Sequence, residues 1–289
     1  MATPVLPDLE LRARALADGV SFGRHASARV GRGIEFAGHR AYTRGDDARR
    51  IDWRAYGRTD RLTIREAEVE TDHAFWMVLD TSASMAMPCG ADTTKFDHAQ
   101  TMAAALAMIA ERQGDRYGVI EWGSSWRIAV DLGRGGRWLQ RTIGTIDTLS
   151  ATARPTHSDW ADRRRIALPD YSQAADVFVL TDGYDCDGDI VRGLAHLEQP
   201  RRRLTIAALE STLESQPAAS GTLRLQDLES GTQITVDEAA FAEARIRRKE
   251  YYRDLRRDLA NNGVRLLELP LPTSGAPDLR PLLRQDVAL

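Results

Sequence analysis

Cysteine is nearly missing from this sequence: Cys89 and Cys186 are the two in 289 residues. A secreted scaffold stapled by disulfides needs more, at regular spacing, so two free thiols in a reducing compartment is the favoured reading. Lysine is as scarce. Only Lys95 and Lys249 are lysines, and the rest of the 39 basic residues are Arg. They are interleaved with 42 acidic residues for a net charge of −3, so the basic excess of a chain that grips nucleic acid is lacking. Long hydrophobic runs are lacking too. The longest mid-chain stretch without Asp, Glu, Lys or Arg is His98 to Ala110, short of the ~20 apolar residues that span a bilayer. Met1 to Gly19 carries Asp8, Glu10 and Asp18 with no apolar h-region, unlike a signal peptide. A soluble, cytoplasmic protein is expected. The rest is ordinary globular material, 43% hydrophobic and 28% charged. At ~150 residues per domain it suffices for roughly two domains, or for one α/β domain with an appended segment.

Along the chain, a short helix is expected over Leu6–Ala17, with Leu9, Leu11, Ala15 and Leu16 apolar among charges. The Gly- and Arg-rich stretch Ser21–Arg61 argues for turns rather than long elements. Leu62, Ile64 and Val69 are spaced like a strand. From Ala74 the pattern changes. Phe75–Leu79 is a continuous apolar run ending at Asp80, as in a buried parallel strand. Phe96–Gln113 reads as a helix closed by Gly114. Tyr117–Trp122 and Trp126–Val130 read as strands joined by a hairpin at Gly123-Ser124-Ser125. Trp138–Leu149 is helical in spacing, and Arg163–Leu168 is a candidate short helix. Val177–Leu180 is a second all-apolar strand, leading to Asp182. A helix over Ile190–Leu197 and a strand over Leu204–Leu209 follow. Leu223–Val236 reads as a hairpin around Glu229-Ser230-Gly231-Thr232. Asp237 caps a long charged helix to Ala260, which Asn262-Gly263 ends. Val264–Leu269 is the last strand, and a short helix over Leu279–Leu283 closes the chain. Strands alternating with helices predict an α/β fold, a mostly parallel sheet flanked by helices. In such sheets ligands bind at the carboxyl ends of the strands.

Two carboxylates stand there. The first strand runs into Asp80-Thr81-Ser82-Ala83-Ser84, and the second into Thr181-Asp182-Gly183. Asp-x-Ser-x-Ser gathers one carboxylate and two hydroxyls in a tight loop. Hard oxygen donors of this kind suit Mg²⁺, which takes near-octahedral oxygens at about 2.0–2.1 Å. Two hydroxyls hold it weakly, so Asp182, directly or through water, would complete a partial cage. The competing structural reading is that Asp80 and Ser82 cap the following turn.

Asp80-Thr81-Ser82-Ala83-Ser84-Met85 resembles the metal-ion-dependent adhesion site of von Willebrand factor A domains. Its flanks narrow the resemblance. Gly31-Arg32-Gly33-Ile34-Glu35-Phe36, Arg40-Ala41-Tyr42 and Gly45-Asp46-Asp47-Ala48-Arg49-Arg50-Ile51-Asp52-Trp53 resemble the signature of the bacterial domain of unknown function 58 family. Gly114-Asp115-Arg116 and Asp227-Leu228-Glu229-Ser230-Gly231 fit that family as well. The resemblance covers about Gly23 to Leu283. It implies a von Willebrand factor A-like (Rossmann-like) domain over residues 71–289, with a hairpin insertion about 210–237, and a family-specific segment over 1–70 packed on it. It implies a metal site of Asp80, Ser82, Ser84, a threonine and Asp182, holding Mg²⁺ or in its place Mn²⁺ or Ca²⁺. Thr156 is the best match for the threonine, with Thr145, Thr148 and Thr152 as competitors. It further implies a MoxR-type AAA+ ATPase partner and chaperone-like maturation or remodelling of a client protein; a narrower resemblance is to the accessory proteins of methanol dehydrogenase. Such a site would bind a partner's acidic side chain at an open metal position, without catalysis. The alternative is a Mg-dependent phosphoester hydrolase using Asp80 and Asp182. Against it, Ser82 stands where Asp-x-Asp phosphatases carry their acid. A vestigial metal site is the third reading.

Other features point elsewhere. Asp182, Asp185, Asp187 and Asp189 crowd one loop, but an EF-hand counted from Asp185 would need Gly and Glu where Ile190 and His196 stand. Gly133-Arg134-Gly135-Gly136-Arg137 lacks the Lys-Ser/Thr of a P-loop, so any ATPase work belongs to a partner. Arg163–Arg165 and Arg201–Arg203 read as solvated faces, with binding of an anion or an acidic partner surface as the alternative. The six histidines show no metal-ligand spacing on a helix, and no Gly-x-Ser-x-Gly elbow is present. Asp46, Asp47, Arg49, Asp52 and Trp53 read as a structural ion-pair network or a docking segment.

Overall fold

The structure, a computed structural model, describes residues 8–20, 35–42, 51–68, 73–152, 165, 167–168, 175–184, 186, 188–197, 202–215 and 221–283. Two compact units are formed, Phe22–Asp72 and the remainder of the chain. The remainder begins with helix α1 (Leu9–Asp18), whose Leu9, Ala13, Leu16 and Ala17 are buried at helical spacing. Leu11 and Ala15, expected on the apolar face, are exposed instead. Leu11 stands two positions from both Leu9 and Ala13, and so on the far side of the helix.

The smaller unit is an antiparallel pair, β1 (Glu35–Ala41) and β2 (Thr63–Glu68), with α2 (Trp53–Thr59) between them in sequence. Turns alone were expected over β1. Its register shifts between Phe36 and Gly38, a bulge that breaks the two-residue period by which a strand is recognised. Asp52 is the N-cap of α2, accepting the N–H groups of Arg54 and Ala55 at 3.0 Å each. Asp46, Asp47 and Arg49 lie outside the described residues.

The larger unit continues with β3 (Ala74–Asp80), a 3₁₀ turn (Ala83–Ala86), α3 (Lys95–Gln113), β4 (Arg116–Trp122), β5 (Trp126–Gly133) and α4 (Gly136–Thr148). Then come β6 (Ala175–Thr181), α5 (Gly188–Ala195), β7 (Arg202–Ser211) and a helical turn (Thr212–Ser215). The hairpin β8 (Leu223–Gln226) and β9 (Gln233–Val236) precedes α6 (Glu238–Asn261), β10 (Arg265–Leu271) and a closing turn (Arg280–Leu283). The helix expected over Arg163–Leu168 lies largely outside the described residues. Strands β10-β7-β6-β3-β4-β5 form one sheet, parallel at every pairing except the β4–β5 hairpin. This is the expected α/β architecture.

Every residue of β3 is buried, which a strand covered on both faces requires. Phe75, Met77 and Leu79 pack into a core shared with α1, α3 and α4. Ala74, Trp76 and Val78 face a second core with α5 and the carboxyl-terminal half of α6. Gly118 on β4 permits this packing: a Cβ there would lie 2.6 Å from the Trp76 ring. Helix α3 is started by a Thr94–Asp97 capping box and ended by Gly114 in the left-handed region at φ +78°. Both cysteines are free and buried. Burial pushes the Cys89 thiol up, which keeps it unreactive. Among the described residues no helix is long and apolar enough to cross a membrane.

Candidate functional site

Numbered within the sheet, the six strands run 3-2-1-4-5-6. The order reverses between β3 and β6, the first and fourth strands, and a crevice opens at the carboxyl ends of such a pair. Asp80 is the last residue of β3 and Asp182 directly follows β6, so both strand-end carboxylates reach that point. The two strands are parallel, with Leu79 opposite Leu180.

Asp80 is fully buried and tied down from both oxygens. Its Oδ1 accepts the Ser82 N–H at 3.0 Å, and its Oδ2 accepts the Thr181 hydroxyl at 2.6 Å. Thr181 Oγ1 in turn accepts the Gly183 N–H at 3.0 Å. One carboxylate therefore orders its own loop and fastens it to the neighbouring strand. The Oδ1 bond is the capping role weighed above; the bond to Thr181 goes beyond it. Ser82 Oγ and Ser84 Oγ stand 3.1 Å apart. That is a hydrogen bond in which either hydroxyl donates, and it is also close to the about 2.9 Å between adjacent oxygens on a Mg²⁺ with ligands at 2.0–2.1 Å, so the two hydroxyls could share one ion.

Asp182 faces a different partner. Its Oδ2 lies 3.3 Å from Lys95 Nζ, and its Oδ1 accepts the Tyr184 N–H at 3.3 Å. Lys95 opens α3 and its side chain is 1% exposed. Its ammonium also donates to Glu214 Oε1 at 2.6 Å and sits 5.4 Å from the Tyr184 ring centroid. A buried ammonium needs this company, since desolvation of an unpaired charge is prohibitive. Glu214 comes from the turn after β7, and its Oε2 accepts the Ser211 N–H at 3.1 Å. Helix α6 closes the far side. The Tyr252 hydroxyl donates to the Asp182 carbonyl, and the Tyr251 hydroxyl to the Gly183 carbonyl at 2.6 Å. Burial, then Tyr184 and Asp182, pushes the Tyr252 hydroxyl far above its ordinary value, so it remains a donor. The Asp182 carboxylate is thus held, and its charge offset, by Lys95.

A third carboxylate arrives from the hairpin. Glu229, in the turn between β8 and β9, accepts the Ser84 N–H at 2.8 Å on Oε1. Among the described residues no three Asp, Glu, His or Cys side chains gather as a metal cage. The donor set at the Asp80 loop is instead one carboxylate with hydroxyls. Thr156 lies outside the described residues. Thr145 and Thr148 belong to α4, and Thr148 Oγ1 donates to the Thr145 carbonyl at 2.8 Å. Thr152 Oγ1 pairs with Ser150 at 3.3 Å. Of the acidic loop, Asp185 and Asp187 lie outside the described residues. Lys95, Thr181, Glu214 and Glu229 were not singled out as site residues from sequence, although Thr181 and Glu229 stand in the strand-end and turn strings read there. One signal existed for Lys95: it is one of two lysines in a chain that otherwise uses Arg.

Comparison with known proteins agrees on the family. The family described as "Protein of unknown function DUF58" matches residues 38–260. Uncharacterised proteins of Mycobacterium tuberculosis and Mycobacterium bovis are 28% identical over 271 residues, covering 91% of this chain and 83% of theirs. Among solved structures, the conserved hypothetical protein BatB of Bacteroides thetaiotaomicron superposes with a TM-score of 0.43 at 13% identity. That match covers 70% of this chain and 91% of the other. The SpRpn10 VWA domain gives 0.39 at 10% identity, over 68% and 88%.

Proposed function

The chain belongs to the DUF58 family, and from that premise we propose that it is a non-enzymatic, metal-dependent protein-binding adaptor of the cytoplasm. It works with a MoxR-type AAA+ ATPase in maturing, assembling or remodelling a client protein. The observation that carries the reading is the Asp80–Ser84 loop. It stands at the topological switch point, with two hydroxyls 3.1 Å apart beside a buried carboxylate. Asp80, Ser82 and Ser84 would hold Mg²⁺, with Asp182, directly or through water, and Thr156 as the remaining candidate ligands. A metal held by one carboxylate and hydroxyls keeps net positive charge. The chemistry it supplies is recognition of a partner's Asp or Glu by a charge-assisted contact. The chain's own residues order the loop: Asp80 fixes Ser82 through its N–H, and Thr181 fixes Asp80.

The test is affinity capture of the tagged protein from its native host, in Mg²⁺ and again in EDTA, with the Asp80→Ala protein alongside. An AAA+ ATPase or one dominant client retained in Mg²⁺ and lost both in EDTA and in Asp80→Ala is the expected result. The same proteins in all three samples would overturn it. So would turnover of phosphoester substrates in Mg²⁺ that Asp80→Ala abolishes.

A further inference from the structure

The hairpin β8–β9 projects little into either core, and it carries exposed apolar residues, Leu225 and Ile234, the latter 54% exposed. Its turn, by contrast, is tightly built. Asp227 accepts the Glu229 N–H at 2.9 Å, the Ser230 N–H at 3.3 Å and the Ser230 hydroxyl. The Asp227 N–H donates to the Thr232 carbonyl at 2.8 Å, and Gly231 takes φ +74°. The turn fixes the backbone at Glu229, whose carboxylate meets the Ser84 N–H at 2.8 Å across 145 residues of sequence. A carboxylate of this chain is thus delivered to the loop proposed to receive a carboxylate from a partner.

We infer that Glu229 is the chain's own ligand for the Asp80–Ser84 loop, and that an acidic side chain of a partner docks by displacing it. The partner class is a protein segment presenting a Glu or Asp on a projecting turn, as the hairpin itself does. This inference rests on the docking reading above for the identity of the competitor, but the latch itself does not. The hairpin leads directly into α6, whose Tyr251 and Tyr252 hold the carbonyls of Gly183 and Asp182. One continuous segment therefore contacts both strand-end loops, and its release would free the first while the tyrosines keep hold of the second. Because Glu229 belongs to the same chain, it competes at an advantage over any free carboxylate, so a partner needs further contacts or abundance to win.

Hydrogen exchange of the full chain, read by mass spectrometry, tests the latch without any partner. Glu229→Ala removes a charge-assisted bond and should speed exchange about ten-fold in peptides covering residues 82–87 and 223–236. Residues 74–80, the buried β3, should stay as protected as in the wild type, which shows that the sheet is intact. Glu229→Gln, which keeps an acceptor and loses the charge, should fall between. The competition is probed by titrating sodium acetate against sodium chloride at equal ionic strength. Acetate should speed exchange of the wild-type hairpin and do nothing further in Glu229→Ala. Wild-type exchange in both Glu229 variants overturns the latch, and equal effects of acetate and chloride overturn the competition. If both arms succeed while capture in Mg²⁺ and in EDTA is identical, the metal-dependent reading fails and the latch stands.

Discussion

A lysine at the first position of a helix is poorly placed for the helix dipole, which favours acidic groups there. Lys95 holds that position because two carboxylates repay it, Asp182 at 3.3 Å and Glu214 at 2.6 Å. Its side chain is 1% exposed, so the ion pairs lie in a poorly screened interior. Removing one partner of a buried pair strands the others. Lys95→Met is therefore expected to lower the unfolding free energy by about 3 kcal/mol or more, measured by urea denaturation. The double variant Lys95→Met, Asp182→Asn should recover part of that loss, because one stranded charge is then gone; a double variant as unstable as the sum of the two single ones would refute the coupling. This residue also marks the limit of sequence reading. Asp80, Ser82, Ser84 and Asp182 could be picked out because each follows an all-apolar strand that had to be buried. Lys95, Glu214 and Glu229 reach the same place from a helix start, a turn and a hairpin. The contacts they make span 87, 119 and 145 residues, and no local pattern encodes those.

At the scale of elements, β3, β6 and α3 could be read because each has a single dominant cause: an apolar run for β3 and β6, a capping residue and a terminal glycine for α3. Where two causes compete the reading falls short, as in β1, whose bulge interrupts the period, and in α1, whose buried face Leu11 does not share. Helix α6 shows what one end cap can do. Its first half is mostly exposed, while Tyr252, Leu255 and Leu259 bury the second half. The first half thus depends on its N-cap, Asp237, which accepts the Ala240 N–H at 2.7 Å. Asp237→Ala costs about 1 kcal/mol of local helix stability, or roughly five-fold faster exchange over residues 238–246. Protection at residues 252–259 should not change, since it rests on burial. Equal acceleration along the whole helix would mean that its two halves open as one unit.

For the molecule as a whole, acid should act in two separate windows. His98 lies on α3 with a 3% exposed side chain, and its Nε2 has no hydrogen-bond partner among the described residues. Burial lowers its affinity for a proton; Asp97 and the Pro272 carbonyl oppose this, and Arg12 adds to it. The unfolded chain binds the proton at the ordinary value of about 6.5, above the folded value. Between the two values the unfolded state carries more protons, so stability falls as pH drops below about 6.5. Asp176 is shifted in the same direction, but against its burial and at lower pH. Burial raises its affinity for a proton, but His73 at 3.0 Å and Arg203 at 2.7 Å together outweigh it and hold the carboxyl below the usual range. Its contribution is complete above the ordinary carboxylate value of about 3.9 and is lost as pH falls through the lowered folded value. Urea denaturation from pH 7.5 to 5 should therefore show a declining unfolding free energy that His98→Asn flattens. Asp176→Asn should lower stability across that whole range and leave the slope in place. If His98→Asn keeps the wild-type slope above pH 5, the buried imidazole is not what makes the fold acid-sensitive.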